Sequence, residues 1–245
     1  MIAARHLLPA SLLTLLAPAA FAQAVPNDLP IIGRPEAGGT GFQPAVTDLA
    51  RELQWLDGFL NVIIILISLF VVALLAVVVV RYNQKSNPEP ATFTHNSPLE
   101  VAWTIVPIFI LVFIGAFSLP ILFKQQEIPE ADVTIKVTGY QWFWGYEYVD
   151  HGFEFESYMI GAGMGNLNDE IVAELEEAGY TREEFLLATD TAVVVPVGKT
   201  IVMQVTGADV IHSWTIPAFG VKQDAVPGRL AELWFEADTE GVYFG

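Results

Sequence analysis

Two uncharged apolar runs dominate what this 245-residue chain can become. The first, Gly58 to Val80, is built mainly of Ile, Leu and Val, with Asn61 and Ser68 as its only clearly polar side chains. The second extends from Val101 to Phe123 and is closed by Lys124. Each exceeds the roughly 20 residues that carry an α-helix across a bilayer. With the polar loop 81–97 between them, they predict a transmembrane hairpin over 58–124, with spans at 58–80 and 101–123. Pro107 and Pro120 lie inside the second span. Each removes a backbone donor, which spanning helices accept when neighbouring helices compensate, so a larger membrane partner is implied. The hydrophobic content of 53% agrees with a membrane protein rather than an ordinary soluble domain.

The N-terminus has the pattern of a secretory signal. Arg5 supplies a positive start, Leu7 to Leu16 an apolar stretch too short to span, and Ala20-Phe21-Ala22 or Ala22-Gln23-Ala24 a small-x-small cleavage site. Residues 1–22 are therefore expected to be a signal peptide. Residues 23–57, rich in Pro, Gly and Ala before residue 50, are expected to form a flexible exported arm. Parity then exports everything after Lys124. The positive-inside signal adds little, because Arg81 and Lys85 in the loop are opposed by Arg51 and Lys124 outside. The C-terminal domain, 125–245, is therefore expected on the exported side of the membrane.

That domain carries nearly all of the acidity. It holds 21 Asp and Glu against 5 Lys and Arg, in a chain whose net charge is −17. Such a surface repels nucleic acid and steers cationic partners toward it. Val133–Thr138, Ala192–Val197, Thr200–Thr206 and Leu230–Phe235 read as strands of a small antiparallel sandwich or barrel. An insert at 168–179 has helical spacing with an Asn cap before it and Gly after it, and Thr181 with Glu184 forms a capping box for a further turn. The chain contains no cysteine, hence no disulfide and no thiolate metal site of its own.

Two stretches carry candidate chemistry. In Gly139-Tyr-Gln-Trp-Phe-Trp-Gly-Tyr-Glu-Tyr148, the rings of Tyr140, Trp142, Trp144, Tyr146 and Tyr148 would share one face of a regular strand and form core, unless a bulge at Gly145 turns part of the stripe outward. In Gly207-Ala-Asp-Val-Ile-His-Ser-Trp214, His212 is either a core histidine or one ligand of a metal site that needs several more. At the cytoplasmic side, Ser97-Pro98-Leu99-Glu100 reads as a capping box that opens the second span.

Four segments in order, Gln141-Trp-Phe-Trp-Gly-Tyr-Glu-Tyr148, Asp209-Val-Ile-His-Ser-Trp214, Lys222-Gln-Asp-Ala-Val-Pro-Gly-Arg229 and Gly241-Val-Tyr-Phe-Gly245, follow the two spans. Together they resemble cytochrome c oxidase subunit II, of the bacterial, copper-containing type. The resemblance implies a cupredoxin-like Greek-key β-barrel on a two-helix transmembrane hairpin. It also implies a binuclear copper centre, CuA, that takes electrons from cytochrome c and passes them to the haem of subunit I, where oxygen reduction is coupled to proton pumping. The expected partners are cytochrome c, the catalytic subunit I with other oxidase subunits, and the membrane.

The same resemblance implies that His212 ligates copper, Trp142 is the electron entry point, and Glu147, Asp150, Asp190 and Asp209 meet the lysine-rich face of cytochrome c. It places Glu100 at the mouth of a proton channel. In that family the two bridging thiolates, a Glu carbonyl, a second imidazole and a thioether follow the Tyr-Phe-Gly segment. The chain is accordingly expected to be C-terminally truncated, its barrel incomplete with an unpaired edge beside 242–244, and copper is not expected to form its paired centre on residues 1–245 alone. Two other readings stand beside this one: a quinol oxidase subunit II without copper, and a two-span sensor or scaffold with an exported β domain.

Overall fold

The computed structural model describes residues 29–245, so the signal-peptide reading of 1–22 lies outside the described residues. A short strand, β1 (Ile31–Ile32), comes first and is followed by two long helices, α1 (Asp48–Arg81) and α2 (Ser97–Gln126). These contain the two apolar runs, and nearly every side chain in the runs faces outward. Trp55 and Phe59 of α1 pack against Phe113 and Phe117 of α2, with ring centroids 5.3–5.9 Å apart. An ion pair of 2.6 Å between Lys124 and Glu52 joins the two helices above these rings.

The start of α2 differs from the expected box. Asn96, not Ser97, is the N-cap: its side chain accepts from Leu99 N at 3.2 Å, and Glu100 reaches back to accept from Asn96 N at 3.1 Å. Asn caps at least as well as Ser, so the boundary moves by one residue while Glu100 keeps its capping role.

The exported domain contains β2 (Val133–Tyr140), β3 (Phe143–Tyr148), β4 (Phe153–Tyr158), α3 (Asp169–Glu177), β5 (Ile201–Gly207), β6 (His212–Ile216), β7 (Val221–Ala225), β8 (Ala231–Phe235) and β9 (Val242–Tyr243). Five strands form one sheet in the order β4-β3-β2-β5-β8, and β6 with β7 makes a hairpin that packs on it. The central pair, β2 and β5, is parallel, so the sheet is mixed rather than wholly antiparallel. Alternate residues of β2 and β5 (Ile135, Val137, Ile201, Met203, Val205) are fully buried and meet Trp214, Phe219, Leu233 and Phe235 in the core.

Three expectations change here. Ala192–Val197 is not a strand. Pro196 has no N–H to give a ladder, and the Tyr148 hydroxyl takes the place of a strand partner, donating to Val194 O at 2.6 Å and accepting from Val194 N at 2.9 Å. The described part of the arm is docked rather than loose: β1 pairs in parallel with β9, and Arg34 forms ion pairs with Glu183 and the fully buried Glu184. That pairing also gives one edge of β9 a strand partner, where 242–244 was expected to be unpaired. The insert helix α3 forms as the caps predicted, with Asn168 accepting from Ile171 N and the Thr181–Glu184 box closed.

The base of the domain is fastened to the helices. Thr47 caps α1 by accepting from Ala50 N and donates its hydroxyl proton to Phe219 O at 2.8 Å, fully buried. Val46, Leu49 and Ile121 enter the β core, and Trp234 Nε1 donates to Lys124 O. Gly220 has φ +69°, and any Cβ there would fall 2.7 Å from Ala50 Cα. Glycine is required on both counts.

Candidate electron-entry and metal-ligand site

Trp142, His212, Asp209 and Asp190 lie at the end of the sheet farthest from the helices. β2 leaves the base at Val133 and reaches its tip after eight residues, roughly 25 Å away. The tip is a tight turn, Gln141-Trp142, between β2 and β3. This turn breaks the expected aromatic stripe. Tyr140 ends one strand, Trp144, Tyr146 and Tyr148 share a face of the next, and Trp142 projects from the turn with 80% of its surface exposed. No bulge occurs at Gly145, which pairs regularly with Thr138. Tyr146 and Tyr148 are buried as the stripe predicts. The Tyr146 hydroxyl accepts from Trp214 Nε1 at 3.1 Å, and burial pushes its pKa up to about 12.

His212 opens β6 beside this tip. Its ring lies edge-on to Trp144, with centroids 5.7 Å apart, and rests over Gly139, where a Cβ would fall 2.7 Å from Cγ and Cδ2 of the imidazole. Gly139 is thus a position that motif reading missed; its signal was a glycine directly after the β-branched run Val133–Thr138, a mark of close approach. His212 Nε2 lies 2.7 Å from Asp209 Oδ1, which also accepts from Val210 N, while Asp209 Oδ2 accepts from Gln141 N at 2.8 Å. The hydrogen bond from His212, then that from Val210 N, hold the Asp209 carboxyl down to about 2. An ionised carboxylate only accepts, so the proton sits on Nε2, and a neutral imidazole then offers Nδ1 as its lone pair. Asp209 therefore does two things: it orients His212, and it ties the Trp142 turn to the loop that bears the histidine. Val210 and Ile211 beside it are exposed, as is Trp142.

The four carboxylates singled out for docking do not lie together. Asp190 accepts from Tyr158 N at 2.8 Å, and Tyr158 pairs with Phe143, so Asp190 is at the tip with Asp209. Glu147 pairs with Lys136 at 3.1 Å, and Asp150 accepts from Thr134 N at 2.8 Å. Both lie toward the opposite end of the β2–β3 hairpin, roughly 15–20 Å away along the strand. Glu100 lies farther still, at the other end of α2. Among the described residues no three His, Cys, Asp or Glu side chains gather into a metal-holding group.

The comparisons with known proteins decide the family. The model of the cytochrome c oxidase subunit II periplasmic domain matches residues 133–245, and that of the subunit II transmembrane domain matches 35–121. The chain belongs to the cytochrome c oxidase subunit II family. It is 65% identical over 231 residues to cytochrome c oxidase subunit 2 of Cereibacter sphaeroides, covering 93% of this chain and 76% of that one. It is 43% identical to the probable cytochrome c oxidase subunit 2 of Rickettsia bellii, covering 84% of this chain and 71% of that one. Among solved structures, the periplasmic domain of subunit II of cytochrome oxidase (CoxB) of Bradyrhizobium japonicum matches with 46% identity and a TM-score of 0.38, over 49% of this chain and 73% of that one. As a subunit II, the chain is part of an oxidoreductase complex, spans the membrane twice and carries its C-terminal β domain on the periplasmic side. The quinol oxidase and sensor readings are not favoured by these matches.

Proposed function

We propose that this subunit II accepts electrons from cytochrome c at Trp142 and passes them inward toward the haem of the catalytic subunit I, for oxygen reduction coupled to proton pumping. The observation that carries the residue assignment is the tie Gln141–Asp209–His212, which joins an 80%-exposed indole to an oriented imidazole at the membrane-distal tip. An exposed aromatic ring, in a domain of strong negative charge, suits a cationic protein partner steered from a distance. Asp190 and Asp209 flank the contact. Glu147 and Asp150, farther along the hairpin, act through the long-range field. Glu100, at the cytoplasmic start of α2, is assigned to the mouth of the proton channel.

The metal assigned to the subunit is copper, as the binuclear CuA centre of the family, with His212 among its ligands. The residues of this chain do not by themselves fit such a pair: they offer one imidazole whose Nδ1 is left free by Asp209, and no cysteine. Soft thiolate donors would have to come from outside residues 1–245.

The test is Trp142→Phe in the assembled oxidase, reading cytochrome c binding and rapid electron entry separately. Binding is expected to stay within about twofold, because a ring remains at that position, while electron entry within the complex falls steeply. Weakened binding with unchanged transfer within the complex would make Trp142 a docking contact only.

A further inference from the structure

A groove opens between α1 and α2 just below the base of the exported domain. Its cavity of about 430 Å³ is lined by Arg51, Glu52 and Trp55 of α1 and by Ala116, Phe117 and Pro120 of α2. The small side chains of Ala116 and Pro120, about one turn apart, leave this space beside the packed rings of Trp55 and Phe117. The Lys124–Glu52 ion pair sets a common level for both helices at the periplasmic surface. At a rise of about 1.5 Å per residue, Arg51 stands at that level, Trp55 about 5 Å below it and Ala116 about 12 Å below it. The groove is charged at its mouth and apolar at its foot.

Two donors at the mouth have unused capacity. Arg51 gives one nitrogen, Nη2, to both Asp48 and Asp238, each at 2.7 Å. Among the described residues no acceptor meets its Nε or Nη1, and nearly half of the side chain is exposed. Trp55 stacks on Phe59 at 5.5 Å, is 54% exposed, and its Nε1 likewise has no acceptor among the described residues. An indole only donates, and it favours the boundary where one end is apolar and the other meets polar groups. A phosphodiester with a glycerol ester below it supplies both missing acceptors, in the order of depth that the two residues require.

A helix of another protein fits the space poorly. At about 10–12 Å across, a helix would fit roughly one turn into the cavity, and the Arg51–Asp238 pair joins the mouth to the exported domain above it. The charges also select the headgroup. Asp48, Glu52 and Asp238 outnumber Arg51 and Lys124 at the mouth, so a lipid of net negative charge is repelled and one that carries its own ammonium is not. A primary ammonium can also donate hydrogen bonds to Asp48 or Glu52.

We infer that this groove is a binding site for one zwitterionic phospholipid with a primary ammonium, drawn from the surrounding membrane. Arg51 takes the phosphate, Trp55 Nε1 donates to a glycerol ester carbonyl, and one acyl chain lies on Ala116, Phe117 and Pro120. The lipid then wedges the hairpin beneath the domain that it carries.

The experiment uses the full chain in the assembled oxidase. A small diazirine-bearing residue replaces Ala116 or, as a control, the exposed Leu111, which lies roughly 140° around α2 from Phe113 and Phe117. Membranes are solubilised, washed with detergent and then irradiated. Position 116 is expected to yield phospholipid adducts and position 111 none. When phosphatidylethanolamine, phosphatidylcholine and phosphatidylglycerol are all supplied, the first is expected to be enriched. Arg51→Gln is expected to lower the adduct yield about tenfold, the scale of a hydrogen-bonded contact to a charged group. Asp238→Asn breaks the Arg51–Asp238 pair but keeps the guanidinium, and is expected to leave the yield unchanged. Equal losses from these two variants would show that the ion pair only shapes the groove, and would overturn the phosphate contact. Equal lipid yields from 116 and 111, or adducts from 116 to a peptide of the catalytic subunit or a second copy, overturn the site itself. Equal capture of the three lipids overturns the role of the ammonium.

Discussion

The two ends of the exported domain are built on opposite principles. At the base, Val46, Leu49 and Ile121 are buried in the β core, and Thr47 satisfies two backbone groups out of reach of water. At the tip, Trp142, Val210 and Ile211 stand in solvent, and the one organising device is polar: Asp209, which gathers Gln141 N, Val210 N and His212. Burying a large apolar side chain contributes about 1.5–3 kcal/mol, so the base holds the domain to the membrane by packing. The tip leaves that stabilisation unrealised, and its exposed rings are free to meet another protein. The contrast teaches that the same residue classes serve stability where they are covered and recognition where they are not.

The sharpest way to break this contrast is to damage each end and compare. Gly220→Val places a Cβ against Ala50 Cα in a left-handed backbone position. It is expected to cost about 3 kcal/mol or more and to lower the thermal unfolding midpoint of the purified chain by about 10 °C. Trp142→Ala, which removes a far larger side chain from the tip, is expected to move the midpoint by no more than about 1 °C. Comparable losses from the two variants would show that the tip is also structural.

A smaller effect sharpens the account of the base. Thr47→Val removes the α1 cap and leaves both Ala50 N and Phe219 O without their partner. Denaturant unfolding is expected to show a loss of about 1–2 kcal/mol. An unchanged midpoint would mean that the helix start is held by Val46 and Leu49 alone.

At the tip, charge should act on rates. Asp190→Asn is expected to slow cytochrome c association about two- to threefold at low salt and to flatten its ionic-strength dependence, with dissociation nearly unchanged. Asp150→Asn, at the far end of the hairpin, should do less. Equal effects from the two positions would show that only net charge matters and that the tip is not the contact.

The smallest effect expected is in the acid limb of stability. Hydrogen bonds from Thr239 and Arg51 hold the Asp238 carboxyl below its ordinary 3.8. A carboxyl with a depressed folded-state pKa contributes stability that is present above the unfolded value and lost as pH falls through the lower folded value. The difference in unfolding midpoint between the unaltered chain and Asp238→Asn should therefore be constant near neutrality and shrink below about pH 4. A difference that persists unchanged into stronger acid would assign the effect to packing instead.

The sequence by itself determined the features whose physics is local. Two apolar runs longer than a bilayer is thick can only be spans, and Asn168 before α3 and the Thr181–Glu184 box are satisfied within a few residues of themselves. The two motifs around Trp142 and His212 were legible as chemistry for the same reason: rare residue types stand at fixed spacing. Tertiary structure alone decided what depends on a distant partner. Ala192–Val197 reads as a strand, yet its backbone is taken by a tyrosine hydroxyl 46 residues away. Five rings alternate like one strand face, yet a turn at Gln141 ejects Trp142 while Tyr146 and Tyr148 are buried. Four carboxylates count alike in a sum of charge, yet only Asp190 and Asp209 stand at the tip. Periodicity and caps record which face a residue prefers; which backbone group lies across from that face is set by pairing between segments far apart in the chain, and no window of sequence contains it.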